Sequence, residues 1–294
     1  MKKSRFFRLI VLGVVIVHFL SSQLQAAKGT AQRVQRVPRV VSSNPKKSAV
    51  YRISARSAIL LDITHGKRFF GKNIDTKVHP ASTTKVMTAL LVLEHLSLDT
   101  IVTVSPGATG VQPSKLNLQA GEQYKVSDLL YGILLNSAND ASIVLAEAVS
   151  GSEPEFVKLM NKRAKELGAR HTRFVNSNGL PTPRDSQYTT VYDMSLIFAR
   201  ALEHDFFADV VRHPYKTIYS TAGKKINLKN HNKMLFTDWG AHIYGKTGYT
   251  KAAQSCFVGF TMKKESTLVV AVFGCSRRWK DIRYIIRKYG GIVL

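Results

Sequence analysis

Short apolar runs bounded by turn residues flank a long middle stretch with helical periodicity, and this change of pattern divides the chain. Residues 57–63 are apolar enough for a strand, His65-Gly66 supplies a turn, and residues 67–72 return as a second strand, so a hairpin opens the folded part. Pro80 then precedes Ser82, and Val86-Met87-Thr88-Ala89-Leu90-Leu91-Val92-Leu93 is apolar on nearly every face. That pattern predicts a helix buried all round, with Ser82 at its start. Residues 96–240 read as mainly helical. Ser127 is placed to cap 128–135, Ser152 with Glu155 makes a capping box for a helix that stops near Gly168, and Thr190 with Asp193 opens another through about Glu203. After residue 241 the pattern reverts to strands at 243–249, 256–262 and 268–274, followed by a last helix over 278–289. The two strand regions, 53–80 and 241–294, are expected to share one antiparallel sheet around an inserted helical part, which gives a mixed α+β fold class.

The first 26 residues do not belong to that fold. They combine basic Lys2, Lys3, Arg5 and Arg8, an apolar run over 9–20, and Leu24-Gln25-Ala26 as a small-residue cleavage site, the three parts of a secretory signal. The run falls short of the roughly 20 apolar residues that span a bilayer, so a cleaved signal is favoured over an uncleaved anchor. Residues 27–52 follow as a flexible basic leader without acids, broken by Pro38 and Pro45. Residues 53–294 remain as one folded domain, and the expected location is the periplasm or cell envelope.

The formal net charge is +24, but the first 52 residues hold 11 of the 43 Lys and Arg and none of the 19 acids, leaving +13 on the remainder. In an exported protein that field meets anionic lipid headgroups and wall polymers rather than nucleic acid, and membrane-surface contact stays open. Only two cysteines occur, Cys256 and Cys275, which rules out a disulfide framework and a Cys-rich zinc site. Both lie on or beside adjacent predicted strands, so pairing is open, with buried free thiols favoured. The nine histidines show no His-Glu-x-x-His pattern, and no metal or other cofactor is expected.

Three short motifs occur in order: Ser82-Thr83-Thr84-Lys85, Ser137-Ala138-Asn139 and Lys246-Thr247-Gly248. Each alone is weak. Ser43-Asn44-Pro45-Lys46 also fits the first pattern and Ser42-Ser43-Asn44 the second, but both lie in the leader, whereas Ser82 opens a buried helix and Lys246 lies on a strand. On a helix, residues i and i+3 share a face, so Lys85 can sit beside the Ser82 hydroxyl. A free serine hydroxyl is a poor nucleophile and needs a proton acceptor. Lys85 can serve as general base only when neutral, and burial together with a nearby Lys246 cation pushes it there. The Ser82 N–H at a helix start and a strand N–H at Tyr249 can form an oxyanion hole. Ser137 is expected to relay a proton to the leaving amine. Asn139 is expected to orient substrate, with a second reading as a helix N-cap.

These motifs match the serine acyl-transfer set shared by penicillin-binding proteins and class A β-lactamases, with Ala138 where that set has an Asp. Together with His79-Pro80-Ala81-Ser82, Leu134-Leu135-Asn136-Ser137, Asn176-Ser177-Asn178-Gly179-Leu180-Pro181 and Gly245-Lys246-Thr247-Gly248, they make residues 57–291 resemble the low-molecular-mass penicillin-binding D-alanyl-D-alanine carboxypeptidases. The resemblance implies a five-stranded antiparallel sheet covered by helices, with an inserted helical subdomain. It also implies cleavage of the terminal D-Ala-D-Ala bond of peptidoglycan stem peptides through an acyl-enzyme on Ser82, and covalent inhibition by β-lactam antibiotics. Lys246, Thr247 and Gly248 are then expected to receive the terminal carboxylate. Many members carry a further β-rich domain and a membrane anchor, whereas this chain ends at Leu294 just after its final helix, which leaves membrane attachment open. For that helix, packing of Ile282, Ile285 and Ile286 on the sheet is favoured over a membrane surface.

Three other functions compete. A DD-endopeptidase cutting cross-links would use the same site. A β-lactamase would need a carboxylate to activate the deacylating water, and neither the Glu166 neighbourhood nor the 176–181 loop supplies one in the right context. A non-catalytic wall-binding module would not need intact motifs.

Overall fold

The computed structural model describes residues 51–182, 186–239 and 242–292, so the expected signal segment and nearly all of the basic leader lie outside the described residues. Five strands form one antiparallel sheet in the order β2-β1-β9-β8-β7, built from β1 (Ser57–Asp62), β2 (Lys67–Lys72), β7 (Tyr244–Thr250), β8 (Gln254–Lys263) and β9 (Ser266–Cys275). The sheet joins the two ends of the described chain, as expected from the two strand regions. Its interior strands read as continuous apolar runs because both faces are covered. On one face Ile59, Val258, Val269, Ala271 and Phe273 meet the helical layer. On the other, Leu60, Phe257, Leu268, Val270 and Val272 meet Ile282, Ile285 and Ile286 of α8 (Arg278–Gly290), so this helix packs on the sheet. Fully burying each such side chain contributes about 1.5–3 kcal/mol.

The helical layer contains α1 (Lys85–His95), short α2 (Pro106–Thr109), α3 (Val126–Leu135), α4 (Asn139–Ser150), α5 (Glu153–Glu166), α6 (Val191–Leu202) and α7 (Asp205–Val210). Residues 85–92 of α1 are all buried, which accounts for the missing polar face in its sequence. Caps at α5 and α6 follow the expected chemistry: Ser152 Oγ accepts from the Glu155 N–H and Thr190 Oγ1 from the Asp193 N–H.

Some expectations need correction. The 96–240 region also holds two two-stranded antiparallel sheets, β3 (Ile101–Thr103) with β4 (Gln123–Lys125), and the hairpin β5 (Tyr215–Tyr219) with β6 (Lys225–Lys229). Strands of three residues are too short to establish a period, and β5 with β6 buries only Ile218 and Leu228. Ser127 does not cap α3, which begins at Val126 with Lys125 in the cap position. The Val126 and Ser127 N–H groups donate instead to the carbonyls of Thr100 and Leu98, so the backbone does what a cap would have done. The folded frame also takes in Tyr51, assigned above to the leader, whose hydroxyl donates to Asp281 of α8. Cys256 and Cys275 are both free and buried, packed into opposite cores of the sheet. Among the described residues no helix is long and apolar enough to cross a membrane.

Candidate active site

Pro80 leads into a 3-10 turn over Ala81–Thr84 that continues directly into α1. Ser82 therefore sits one turn ahead of the α-helix proper rather than on its first residue. Ala81 takes a left-handed φ of 48°, and Thr83 closes the turn, its N–H and its hydroxyl both donating to Pro80 O. Two glycines press on this segment from either side. A Cβ on Gly179, whose φ is +90°, would lie 1.9 Å from Ala81 O, and one on Gly248 would lie 3.1 Å from the Ser82 nitrogen. Only glycine lets a loop and a strand approach the serine backbone this closely.

Lys85 points back from the first residue of α1 and is fully buried. Its Nζ lies 3.3 Å from Ser82 Oγ, 2.7 Å from Asn139 Oδ1 and 2.7 Å from Asn178 O. The Asn139 amide is oriented by its other end, where Nδ2 donates to Gln112 O at 2.8 Å. Asn139 is thus the first residue of α4 with its side chain turned to Lys85, and the alternative N-cap role falls to no side chain, because Ala138 occupies that position. Asn178 belongs to a loop braced by Asn176 Oδ1 accepting from Gly179 N–H, and tied to α1 by the Thr88 hydroxyl donating to Ser177 O.

Ser137 precedes α4 in a left-handed conformation, φ 59°, which costs about 1–3 kcal/mol in a non-glycine residue. Its Oγ accepts from Lys246 Nζ at 3.0 Å. Lys246 is buried in β7, and its ammonium also reaches Thr247 O at 3.1 Å. Thr247 is nearly buried beside it, and the Tyr249 side chain, 65% exposed, stands at the open edge of the sheet. Behind β7, Arg278 at the start of α8 donates through Nη1 to the carbonyls of Gly248 and Cys256.

The electrostatics follow from this burial. Lys85 is held well below the ordinary lysine range, first by desolvation and then by the Lys246 charge, with Asp140 pulling the other way. Lys246 is pushed down to about 7 by burial and then by Arg278. No carboxylate among the described residues hydrogen-bonds to any of these three cations. The Asp140 carboxylate is spent on the N–H groups of Leu116, Leu118 and Ala141. A neutral Lys85 has two N–H bonds, matched by Asn139 Oδ1 and Asn178 O, and one lone pair left to face Ser82 Oγ. The arrangement can deprotonate the serine as it attacks a carbonyl.

Ser82, Lys85, Ser137, Asn139, Lys246, Thr247 and Gly248 thus converge in one cleft. The sequence reading missed the Asn178 carbonyl, Gly179, Gln112 and Arg278. A backbone acceptor leaves no mark in sequence, and Arg278 reads as one more basic residue of the last helix. His231 was also missed. It donates its N–H to Leu135 O at the exposed rim, and its imidazole is pushed down to about 4 by desolvation and then by Lys246, Lys85 and Arg278.

Residues 42–277 match the Peptidase S11 family, described as D-alanyl-D-alanine carboxypeptidase. Among curated proteins, the chain is 35% identical over 236 residues to the D-alanyl-D-alanine carboxypeptidase DacF of Bacillus subtilis, covering 79% of this chain and 60% of that one. It is 34% identical to DacB2 of Mycobacterium tuberculosis, covering 74% of each, and 35% identical to DacC of Escherichia coli, covering 76% of this chain and 57% of that one. The chain thus spans about 60% of the length of DacF and DacC. Among solved structures, a variant of the Streptomyces K15 DD-transpeptidase aligns with a TM-score of 0.76 at 26% identity, over 82% of this chain and all of that one. A D-alanyl-D-alanine carboxypeptidase from Mycobacterium tuberculosis aligns with a TM-score of 0.75 at 29% identity, over 83% and 95%. With the family match covering most of the chain and the serine and lysine motifs drawn into one cleft, the chain belongs to the Peptidase S11 family, the D-alanyl-D-alanine carboxypeptidases.

Proposed function

We propose that the chain is an exported serine DD-peptidase of the cell envelope, which hydrolyses the terminal D-Ala-D-Ala bond of peptidoglycan stem peptides and is acylated by β-lactams. The observation that carries this reading is the buried Lys85 amine, 3.3 Å from Ser82 Oγ and hydrogen-bonded to no carboxylate among the described residues. Ser82 attacks the carbonyl of the fourth residue while Lys85 takes its proton. The developing oxyanion sits between the N–H groups of Ser82 and Tyr249, each worth about 3 kcal/mol of barrier. The bond to the terminal D-alanine breaks as Ser137 passes its hydroxyl proton to the leaving amine and takes one from the Lys246 ammonium that donates to it, and water then releases the acyl group. Asn139 fixes both Lys85 and the substrate amide. Thr247, Gly248 and Lys246 receive the terminal carboxylate, and the Arg278 charge behind β7 adds to the attraction.

A β-lactamase reading gains nothing from the geometry. Glu166 is engaged by Arg163 and Glu153 by Ser177, so neither carboxylate is available beside Ser82. The test is intact-mass spectrometry after incubation with benzylpenicillin, paired with an assay of D-alanine release from a pentapeptide. The expected result is one penicilloyl adduct per chain, absent in Ser82→Ala, and release of one D-alanine. Equal labelling of Ser82→Ala would refute the assignment, and conversion of cross-linked dimers without release of free D-alanine would make the enzyme an endopeptidase.

A further inference from the structure

The small sheet of β5 and β6 buries one face and leaves the other without a partner. Ile218 and Leu228 turn inward onto the core, with Ile226 half-buried beside them and Lys216 Nζ 4.6 Å over the Tyr131 ring. The alternation of a strand then sends Tyr215, Thr217 and Tyr219 of β5 outward, directly opposite Lys229, Asn227 and Lys225 of β6. Tyr215 is 57% exposed and Tyr219 52%, and Phe236 lies against Tyr215 with ring centroids 5.3 Å apart. These three rings make up most of the exposed aromatic side chains among the described residues, so the face is not an ordinary solvated one. Between the two tyrosines, about 13 Å apart at strand spacing, the Thr217 hydroxyl donates to Asn227 Oδ1 and leaves the Asn227 amide N–H groups to donate outward. No carboxylate among the described residues pairs with Lys225 or Lys229.

This face is fixed beside the cleft. β6 runs straight into Asn230, His231 and Asn232, where the His231 N–H donates to Leu135 O at the end of α3 and Asn232 Nδ2 donates to Ile243 O just ahead of β7. Ser137 follows the first of these elements and Lys246 lies on the second. A ligand for the face must offer flat apolar surfaces to the rings, acceptors to an amide and negative charge to lysines. Sugar rings present C–H faces to a phenol ring and hydroxyls to an amide. In the DD-peptidase reading, on which this inference rests, the peptide in the cleft hangs from a sugar chain whose other stem peptides carry carboxylates. We infer that the outer face of β5 and β6 is a platform for the glycan strand of peptidoglycan, which holds the strand beside the cleft while its stem peptides are cut.

The test compares kcat/KM for D-alanine release from uncross-linked glycan strands bearing pentapeptides with that from the free pentapeptide, at equal pentapeptide concentration. Strands are expected to be better by about tenfold, through KM rather than kcat. Strands stripped of peptides should inhibit the reaction of the intact strands and spare that of the free pentapeptide. Tyr215→Ala combined with Tyr219→Ala should abolish the advantage while leaving turnover of the free pentapeptide and acylation by benzylpenicillin unchanged, which also certifies the fold. Lys225→Gln combined with Lys229→Gln should reduce the advantage by a smaller factor and flatten its dependence on sodium chloride. Equal kcat/KM for strands and free peptide, or an advantage that survives in the tyrosine variant, would overturn the platform. Dimerisation that the tyrosine variant loses without any change toward strands would also overturn it, and make the face a contact between copies of the chain. Absence of both D-alanine release from every substrate and a penicillin adduct would instead overturn the peptidase reading, and the platform with it.

Discussion

The cations that join α5 to α1 and α6 and the cations that line the cleft are partnered in opposite ways. On the helical side, Arg163 forms a bidentate pair with Glu94 at 2.6 and 3.0 Å and also reaches Glu166 at 3.1 Å, while Arg200 bonds Glu203 and approaches Glu94. Hydrogen bonding to Glu94 outweighs desolvation there and holds the Arg163 guanidinium above its ordinary range. At the active site, Lys85 and Lys246 are buried and Arg278 behind β7 is half-buried, with carbonyls, an amide and hydroxyls for partners, and all three are pushed downward. Acid pairing keeps a cation charged and makes it a fastener. Withholding the acid lets burial and the neighbouring positive charges prevail, and both lysine amines are pushed below the ordinary lysine range.

The largest effect expected from breaking this contrast comes from Lys85→Arg, which restores a permanent charge beside Ser82. Benzylpenicillin acylation of the folded fraction, followed by stopped flow, should slow by about 10²–10⁴-fold, and the thermal melt should fall because a charge is buried without an acid partner. An intermediate effect is expected from Gly179→Ala, because its Cβ would have to displace Ala81 O and adopt a disfavoured φ. This change should lower stability by about 1–3 kcal/mol in urea titration and also slow acylation, since the Ser82 backbone moves with Ala81. The smallest effect belongs to the fastener. Arg163→Leu should cost about 1 kcal/mol, because the pair is partly screened by solvent, and should leave the acylation rate of the folded enzyme unchanged.

What could be read from the sequence follows from which interactions are local. The i, i+3 relation of Ser82 and Lys85 and the all-apolar run behind them are short-range facts, so the closeness of these two side chains and the buried helix were legible. The meeting of Ser137, Asn139 and Lys246 was legible only through the motif resemblance, since tertiary packing alone brings α4 and β7 together. The Asn178 carbonyl, the Gly179 clamp and the Arg278 brace are long-range backbone contacts with no residue signature. The β5–β6 hairpin escaped for another reason: Ile218 and Leu228 are too few inward residues to show an alternation against a background of lysines.

The central claim is that Lys85 is neutral in the working enzyme because it is buried and because Lys246 stands nearby, and the pH dependence of acylation tests it most directly. The neutral amine is the active form, so the benzylpenicillin acylation rate should rise with pH through the folded-state pKa of Lys85, well below the ordinary value of 10.5. Replacing Lys246 with Met removes a positive neighbour, so the same limb should move toward higher pH. A wild-type limb near 10.5, or one that stays in place or moves down in Lys246→Met, would contradict the account.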